Sequence, residues 1–267
     1  MNFPEELFNR MQSYNMWLPS PKQIHEFVDS VIEFLFPLHG GKGLEMSHLC
    51  YEWERLQCLF ADLLSSLEHL IDETPKDISQ RFFAVIPSIH KQLLEEATHF
   101  VQCDPATESV EEVILCYPGY YAIAIYRLAN ELYRMKIPLL PRVVSEYVHS
   151  KTGIDIHPGA TIGKNFYIDH GTGIVIGETT EIGNNVKIYQ GVTLGAMYVE
   201  KKLQNTKRHP TIEDNVIIYA GSTILGGDTV IGHDTVVGGN VWLTESVAPN
   251  SVVYHKANVV IKNKQSK

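Results

Sequence analysis

The chain has 267 residues, 44% hydrophobic and 20% charged, enough to bury the core of one or two domains. Its formal net charge of −9 argues against a nucleic-acid partner, which ordinarily meets a basic face. It contains no run of about eighteen apolar residues, and the acidic opening MNFPEELFNRM lacks the basic-then-apolar layout of a signal peptide. No membrane association is therefore expected, and the composition reads as cytoplasmic.

The first half is written in helices. Ser20-Pro21-Lys22-Gln23 is a capping box with proline at the first helical position. Ile24, Phe27, Val28, Val31 and Leu35 follow at the three- and four-residue spacing of an amphipathic helix. Ser47 begins a longer helix carrying Leu49, Trp53, Leu56, Phe60, Leu63, Leu64 and Leu67. Pro75 and Pro87 punctuate what comes next, and 90–101 reads as helix again. Asp104-Pro105 stops it, since the residue before proline is pushed out of the α region. Ser109-Val110-Glu111-Glu112 caps another helix, and helices over 118–136 and 141–151, the last stopped by Gly153, complete an α-helical domain over 1–150. Cys50, Cys58, Cys103 and Cys116 all lie here without a C-x-x-C pair, which suits neither a disulfide framework nor a zinc site. Buried, reduced thiols are expected.

Over 154–252 apolar residues return every six positions. Ile156, Ile162 and Ile168 open the register; a two-residue slip moves it to Ile176, Ile182, Ile188 and Leu194. It resumes at Ile212 and Ile218, slips by one, and continues at Leu225, Ile231, Val237 and Leu243. A fixed period marks a repeat architecture, and six is the period of a β-helix: each hexapeptide gives a strand and a corner, and coils stack to bury their apolar faces. The leading aliphatics should point inward, as should the residues four places on, among them Ala160, Thr172, Thr180, Val186 and Val192. The expectation is a β-helix over 151–258 and a basic tail over 259–267.

Chemistry is sought where the repeat is broken. In IDHGTG, Asp169 and His170 replace glycine and filler. Histidine is the usual general base near neutral pH, and a carboxylate beside it fixes its tautomer. Asp155, fifteen residues earlier, is a second candidate carboxylate, one coil away less three residues. Between Leu194 and Ile212 the inward positions fall on Glu200 and Thr206. Burying an unpaired Glu200 is costly, so AMYVEKKLQNTKRHP reads as a loop extruded at about 196–211. It gathers Lys201, Lys202, Lys207, Arg208 and His209, which suit a substrate carboxylate or phosphate. Counting three faces per coil also stacks the repeats led by Ile168, Ile188, Ile218 and Val237. Their third residues, His170, Gln190, Ala220 and Gly239, would form a column from a possible base through small side chains. Three coil steps span roughly 14 Å at strand spacing, comparable with an extended pantetheine arm.

A helical first half followed by DIHP, DHGTGIVIGET, QGVTLG and RHP in a hexapeptide array closely resembles the bacterial serine O-acetyltransferases, over roughly 103–253. The resemblance implies an α+β chain whose helical domain precedes a left-handed parallel β-helix, an exception to the right-handed crossover rule. It also implies a homotrimer or dimer of trimers with the active site between neighbouring β-helices. L-serine would be the acceptor, acetyl-CoA the co-substrate, and no metal would be needed. The family's catalytic histidine falls on His170, with Asp155 as its orienting partner. Its serine-binding residues fall on Asp104, Asp169, Arg208 and His209, and its coenzyme A lane on Gly195, Ala196, Ala220 and Gly239. The chain departs from the family in a longer loop before Arg208, which leaves cysteine feedback inhibition open. Its ending KNKQSK replaces the isoleucine with which many members dock into cysteine synthase, so that partnership is doubtful.

Other chemistries remain. A hexapeptide acetyltransferase acting on a sugar hydroxyl would need His170 but not Asp104, Asp169 and Arg208. A metal lyase of the γ-carbonic-anhydrase kind would draw ligands from His157, His170, His209 and His233. A scaffold with a dead site would have no use for an intact base and carboxylates.

Overall fold

The computed structural model describes residues 2–12, 19–38, 45–198 and 206–256. Glu200, Lys201 and Lys202 of the basic loop and the tail at 259–267 lie outside the described residues. The chain divides into two compact units, Met1–Ala160 and Thr161–Lys267. Seven α-helices among the described residues precede a parallel β-solenoid of about five turns, the fold class expected from the sequence.

In the first unit α1 (Phe3–Gln12) and α2 (Pro21–Leu35) come first. The Ser20 amide donates to Gln23 Oε1 at 3.3 Å, closing the expected cap. The periodic residues Ile24, Phe27, Val28, Val31 and Leu35 are the ones α2 buries. α3 (Met46–Ser65) buries Leu56, Phe60, Leu63 and Leu64. α4 (Pro75–Cys103) runs straight through Pro87, where a break was expected. Proline forfeits one backbone donor, but a single apolar face continues across it. Ile78, Phe82, Phe83 and Ile86 are buried before it, and Leu93, Ala97 and Phe100 after it. Phe60 packs on Phe27 at 5.0 Å and on Phe82 at 4.9 Å between ring centres, so tertiary packing outweighs the lost bond. α4 does end where Asp104-Pro105 requires, with Asp104 as its C-terminal cap.

Ser109 Oγ accepts the Glu112 amide at 3.2 Å to start α5 (Val110–Cys116), and α6 (Pro118–Arg134) and α7 (Leu140–Thr152) follow. Gly153, at φ 71°, ends α7 by donating its amide to the His149 carbonyl at 2.8 Å, a left-handed cap that favours glycine. Asp29 of α2 accepts hydrogen bonds from the hydroxyls of Tyr121 (2.9 Å) and Tyr147, and from Lys151 at 3.1 Å, pinning α2 to α6 and α7. β1 (Ile154–Ile156) follows α7 in the same unit. The cysteines are free as expected but not buried: Cys50, Cys58 and Cys116 are exposed and Cys103 half-buried. They sit on the outer faces of their helices, whose inner faces are filled by larger aliphatic and aromatic side chains.

The second unit stacks three parallel ladders. One holds β2 (Thr161–Ile162), β5 (Glu181–Ile182), β8 (Thr211–Ile212) and β11 (Val230–Ile231). A second holds β3 (Tyr167–Asp169), β6 (Lys187–Tyr189), β9 (Ile217–Ile218), β12 (Val236–Val237) and β14 (Val252–Val253). The third includes β4 (Ile174–Ile176), β7 (Thr193–Gly195), β10 (Thr223–Leu225) and β13 (Trp242–Leu243). Ile168, Ile188, Ile218 and Val237 pair in one column, as the face count requires.

The register locates each departure from period six. Partners are thirty residues apart from Glu181↔Thr211 through Thr193↔Thr223, against eighteen for a plain coil, so the loop adds twelve residues and the array resumes in step. The one-residue slip falls later than the sequence placed it. Leu194 pairs with Ile224, which is fully buried, and Leu225 is not; partners become nineteen apart only from Thr211↔Val230. The extra residue therefore lies after Leu225.

Corners on one edge are turned by Asn165, Asn185, Asn215 and Asp234, all at φ between 56° and 61°, a conformation asparagine and aspartate tolerate best after glycine. Their side chains make a ladder: Asn165 Nδ2 donates to Asn185 Oδ1 at 2.9 Å, Asn185 to Asn215 at 3.1 Å, and Asn215 to Asp234 Oδ1 at 3.1 Å.

Candidate active site

The two-residue slip of the repeat turns out to be His170 and Gly171 themselves. Before them, Asp169 pairs with Tyr189, twenty positions on. After them, Val175 pairs with Thr193, eighteen positions on, and the Gly191 amide bonds the Thr172 carbonyl at 3.0 Å in the same register. The ladder closes as though 170 and 171 were absent. They form a bulge in which both residues are left-handed, His170 at φ 55° and Gly171 at φ 93°, and the Gly171 amide turns back onto the Asp169 carbonyl at 2.6 Å. The bulge puts the imidazole outside the wall of the solenoid, its side chain 71% exposed. Its Nε2 stands 3.6 Å from Asp169 Oδ1, in electrostatic reach but beyond a hydrogen bond.

Two expectations change with this geometry. Thr172 is exposed rather than inward, and Ile174, 1% exposed, fills the interior place eighteen residues before Val192. The column beside Gln190, Ala220 and Gly239 is continued by Thr172, not His170; the histidine stands beside the lane rather than at its head. Ala220 is half-buried and its carbonyl accepts the Asn240 amide at 2.9 Å. A Cβ at the exposed Gly239 would come within 3.2 Å of that carbonyl, so the lane is kept low there by glycine. Gly195 ends β7 with Ala196 next, and a Cβ on Gly195 would meet Leu225 Cδ2 at 2.9 Å.

The described end of the basic loop is seated on the array. The Lys207–Arg208 backbone crosses Gly227, where a Cβ would lie 2.3 Å from the Lys207 carbonyl oxygen. His209 is 8% exposed and lies flat on Gly177, whose added Cβ would fall 2.0 Å from His209 Cδ2. Thr179 organises the turn: its Oγ1 accepts the amides of Arg208 (2.9 Å) and His209 (3.1 Å), and its own amide donates to His209 Nδ1 at 3.1 Å. A backbone amide can only donate, so Nδ1 is the acceptor and the neutral ring carries its proton on Nε2. Arg208 Nη2 pairs with Glu178 Oε2, and Lys207 Nζ stands 3.2 Å from Glu181 Oε1. Glu178 and Thr179 were not singled out from the sequence. In IGETTE they look like repeat filler, and only the return of the loop thirty residues later gives them partners.

The other two expected site residues lie in the first unit. Asp104 Oδ1 accepts the Ala106 amide at 2.8 Å and Oδ2 the Tyr117 hydroxyl at 2.7 Å; the carboxylate raises the pKa of that hydroxyl. Asp155 is half-buried on β1, and burial raises its carboxyl above the usual range, against the lowering pull of His149 and Arg142. One ligand-capable atom from each of Glu146, His149 and Asp155 lies within 4.8 Å of the others. The four histidines named for a metal lyase have other surroundings in the chain. His157 rests edge-on to Tyr133, its Nδ1 accepting the Gly159 amide at 3.0 Å, and His233 contacts Asp234 at 2.7 Å.

No family model matches the chain. Among curated proteins it is 46% identical over 260 residues to a plasmid-borne serine acetyltransferase of Synechococcus elongatus, an alignment covering 88% of this chain and 81% of that one. Among solved structures, serine acetyltransferase 1 of Entamoeba histolytica in complex with L-cysteine aligns with TM-score 0.76 and 33% identity, over 90% of this chain and 88% of that one. A serine acetyltransferase in complex with CoA aligns with TM-score 0.59 and 25% identity, over 87% of this chain and 94% of that one.

Proposed function

The chain belongs to the serine acetyltransferase family and is an acyltransferase, and from that premise we propose that it moves the acetyl group of acetyl-CoA to the hydroxyl of L-serine, giving O-acetylserine and CoA. His170 takes the hydroxyl proton as the serine oxygen attacks the thioester carbon directly; the C–S bond breaks and the thiolate leaves, regaining a proton from the imidazolium. The observation that carries this role is the His170–Gly171 bulge. A regular ladder gains nothing structural from a two-residue extrusion that holds a non-glycine residue left-handed at a cost of about 1 kcal/mol. It does gain an exposed base.

Asp155 is the carboxylate that orients the ring and stabilises its protonated form, and Asp169 and Asp104 meet the serine ammonium. Arg208 binds the serine carboxylate, a charge-assisted pairing suited to guanidinium. Its pairing with Glu178 holds the guanidinium plane, and the Thr179 hydrogen bonds hold the backbone that bears it. His209, proton on Nε2, offers a donor to the same substrate. The lane of Gly195, Ala196, Ala220 and Gly239 takes the pantetheine arm, which needs backbone access and little side-chain bulk. The solved relative with CoA supports an acyl carrier at this fold. Catalysis between β-helices of a homotrimer, or a dimer of trimers, fits an exposed base, which an adjacent subunit can enclose. The setting is a biosynthetic one in the cytoplasm, in keeping with the absence, among the described residues, of any helix long and apolar enough to cross a membrane.

The deciding experiment is release of thiol from acetyl-CoA with L-serine, against L-threonine, homoserine and sugars as acceptors. Serine-dependent release is expected. Well-folded protein that acts only on sugars, or not at all, would overturn the assignment.

A further inference from the structure

Beside the carboxylate assigned to the base lie two donors that the acetyl-transfer reaction does not use. Glu146 and His149 stand three positions apart on α7, so their side chains leave the same face of the helix, and Asp155 follows on β1. A glutamate and a histidine at this spacing, joined by a further carboxylate, make the donor set that helical proteins use for divalent first-row metals. Mixed imidazole and carboxylate ligands suit zinc, cobalt and manganese in their divalent forms. We propose that Glu146, His149 and Asp155 form a site for a divalent transition-metal ion, and that a bound ion stops acetyl transfer by holding Asp155. The inhibitory half rests on the reading of Asp155 as the partner of the base; the binding half does not.

The geometry needs only a small adjustment. Metal–donor bonds of about 2.1 Å set donors roughly 3.4 Å apart in a tetrahedral site, and the three atoms already lie within 4.8 Å of one another. The side chains of Glu146 and His149 are 49% and 41% exposed, so both can rotate inward, and solvent can complete the coordination. Two groups compete with the ion. His149 Nδ1 sits 3.2 Å from Glu146 Oε2 and must be deprotonated to ligate. Arg142 pairs with Glu146 and must swing away. Such competition makes the ion exchangeable rather than a permanent part of the fold.

The test is a titration of the full chain, stripped of metal, with Co²⁺ alone, followed by visible absorption and by the effect of Co²⁺ and Zn²⁺ on turnover read as loss of thioester absorbance. Expected are d–d bands saturating at one ion per chain, absent in Glu146→Gln and His149→Gln, and inhibition reversed by a chelator. Both variants should keep the wild-type melting curve and metal-free turnover, yet need at least about tenfold more metal for inhibition, the scale on which coordination-sphere changes act. No visible band, a thiolate-to-cobalt band tracing binding to Cys50, Cys58 or Cys116, or unaltered inhibition in the variants would each overturn the proposal. Wild-type protein without serine-dependent transfer would defeat the proposed function instead, while the cobalt bands would still decide the site.

Discussion

Deleting His170 and Gly171 together should leave the solenoid standing. The register on either side already differs by two residues, so the deletion joins Asp169 to Thr172 in the arrangement that Tyr189 and Gln190 adopt one coil later. Two hydrogen bonds are lost, Gly171 to Asp169 and Ile174 to Gly171, at about 1 kcal/mol each. Against this, a left-handed non-glycine residue is removed, relieving about 1 kcal/mol, and two residues no longer need ordering, at about 1–2 kcal/mol apiece. The balance comes to about 1–3 kcal/mol in favour of the deletion, a melting rise of no more than about 12 °C for a protein of this size. Deleting Gln190 alone is the contrasting case. A slip of one residue turns Val192 and Leu194, both fully buried, toward solvent, costing about 1.5–3 kcal/mol for each. Thermal melts followed by far-ultraviolet circular dichroism separate the two. If the double deletion melts as low as the single one, His170 and Gly171 belong to the coil and the bulge reasoning fails. Acetyl transfer should vanish in the double deletion, and His170→Ala should lose about 10²–10⁴ in turnover with an unchanged melt.

Arg208→Ala should raise the KM for serine roughly ten- to hundredfold, the worth of a charge-assisted hydrogen bond, and leave that for acetyl-CoA alone; an effect confined to acetyl-CoA would refute the loop assignment. Gly177→Ala should displace the His209 ring, destabilise the protein by about 1–3 kcal/mol and weaken serine binding, and unchanged kinetics would show that the ring is not locked there. Asp155→Asn should inactivate the enzyme yet stabilise it near neutral pH. Burial raises the Asp155 pKa on folding, so the folded state holds its proton more tightly and stability falls as pH rises through the window above the unfolded value of about 3.8. The melting advantage of the variant should therefore shrink as pH is lowered through that window, and an advantage independent of pH would contradict the burial argument.

The architecture was legible because a period of six admits few solutions, and because caps such as Ser20 and Gly153 state where helices begin and end. What the period could not say was which residues of a slip are extra. The two-residue slip around IDHGTG is visible in the sequence, but whether His170 stays in the wall or leaves it depends on which amides pair across coils. That is why Thr172 was read as inward. Pro87 misled for a related reason: a local donor is missing, while the burial that overrides it comes from other helices. Glu178 and Thr179 acquire their meaning from a loop that returns thirty residues later, a distance over which spacing carries no information. The Glu146–His149 pair, by contrast, is written at helical spacing and could have been found.

The ladder of Asn165, Asn185, Asn215 and Asp234 has a direction. Each amide donates toward the carboxyl-terminal coil, Asn185 and Asn215 accept from the coil before, and the last acceptor is a carboxylate, whose charge polarises the amides behind it. Each asparagine rung makes the same bond one coil on, so the ladder by itself would offer a duplicated coil a donor below and an acceptor above. Length is thus a free variable of the ladder, in the way that it is for a one-dimensional crystal. The coil that bears the bulged histidine, the coil that extrudes the Arg208–His209 loop and the terminating anion are unique addresses, so an added coil would leave the chemistry untouched only beyond them.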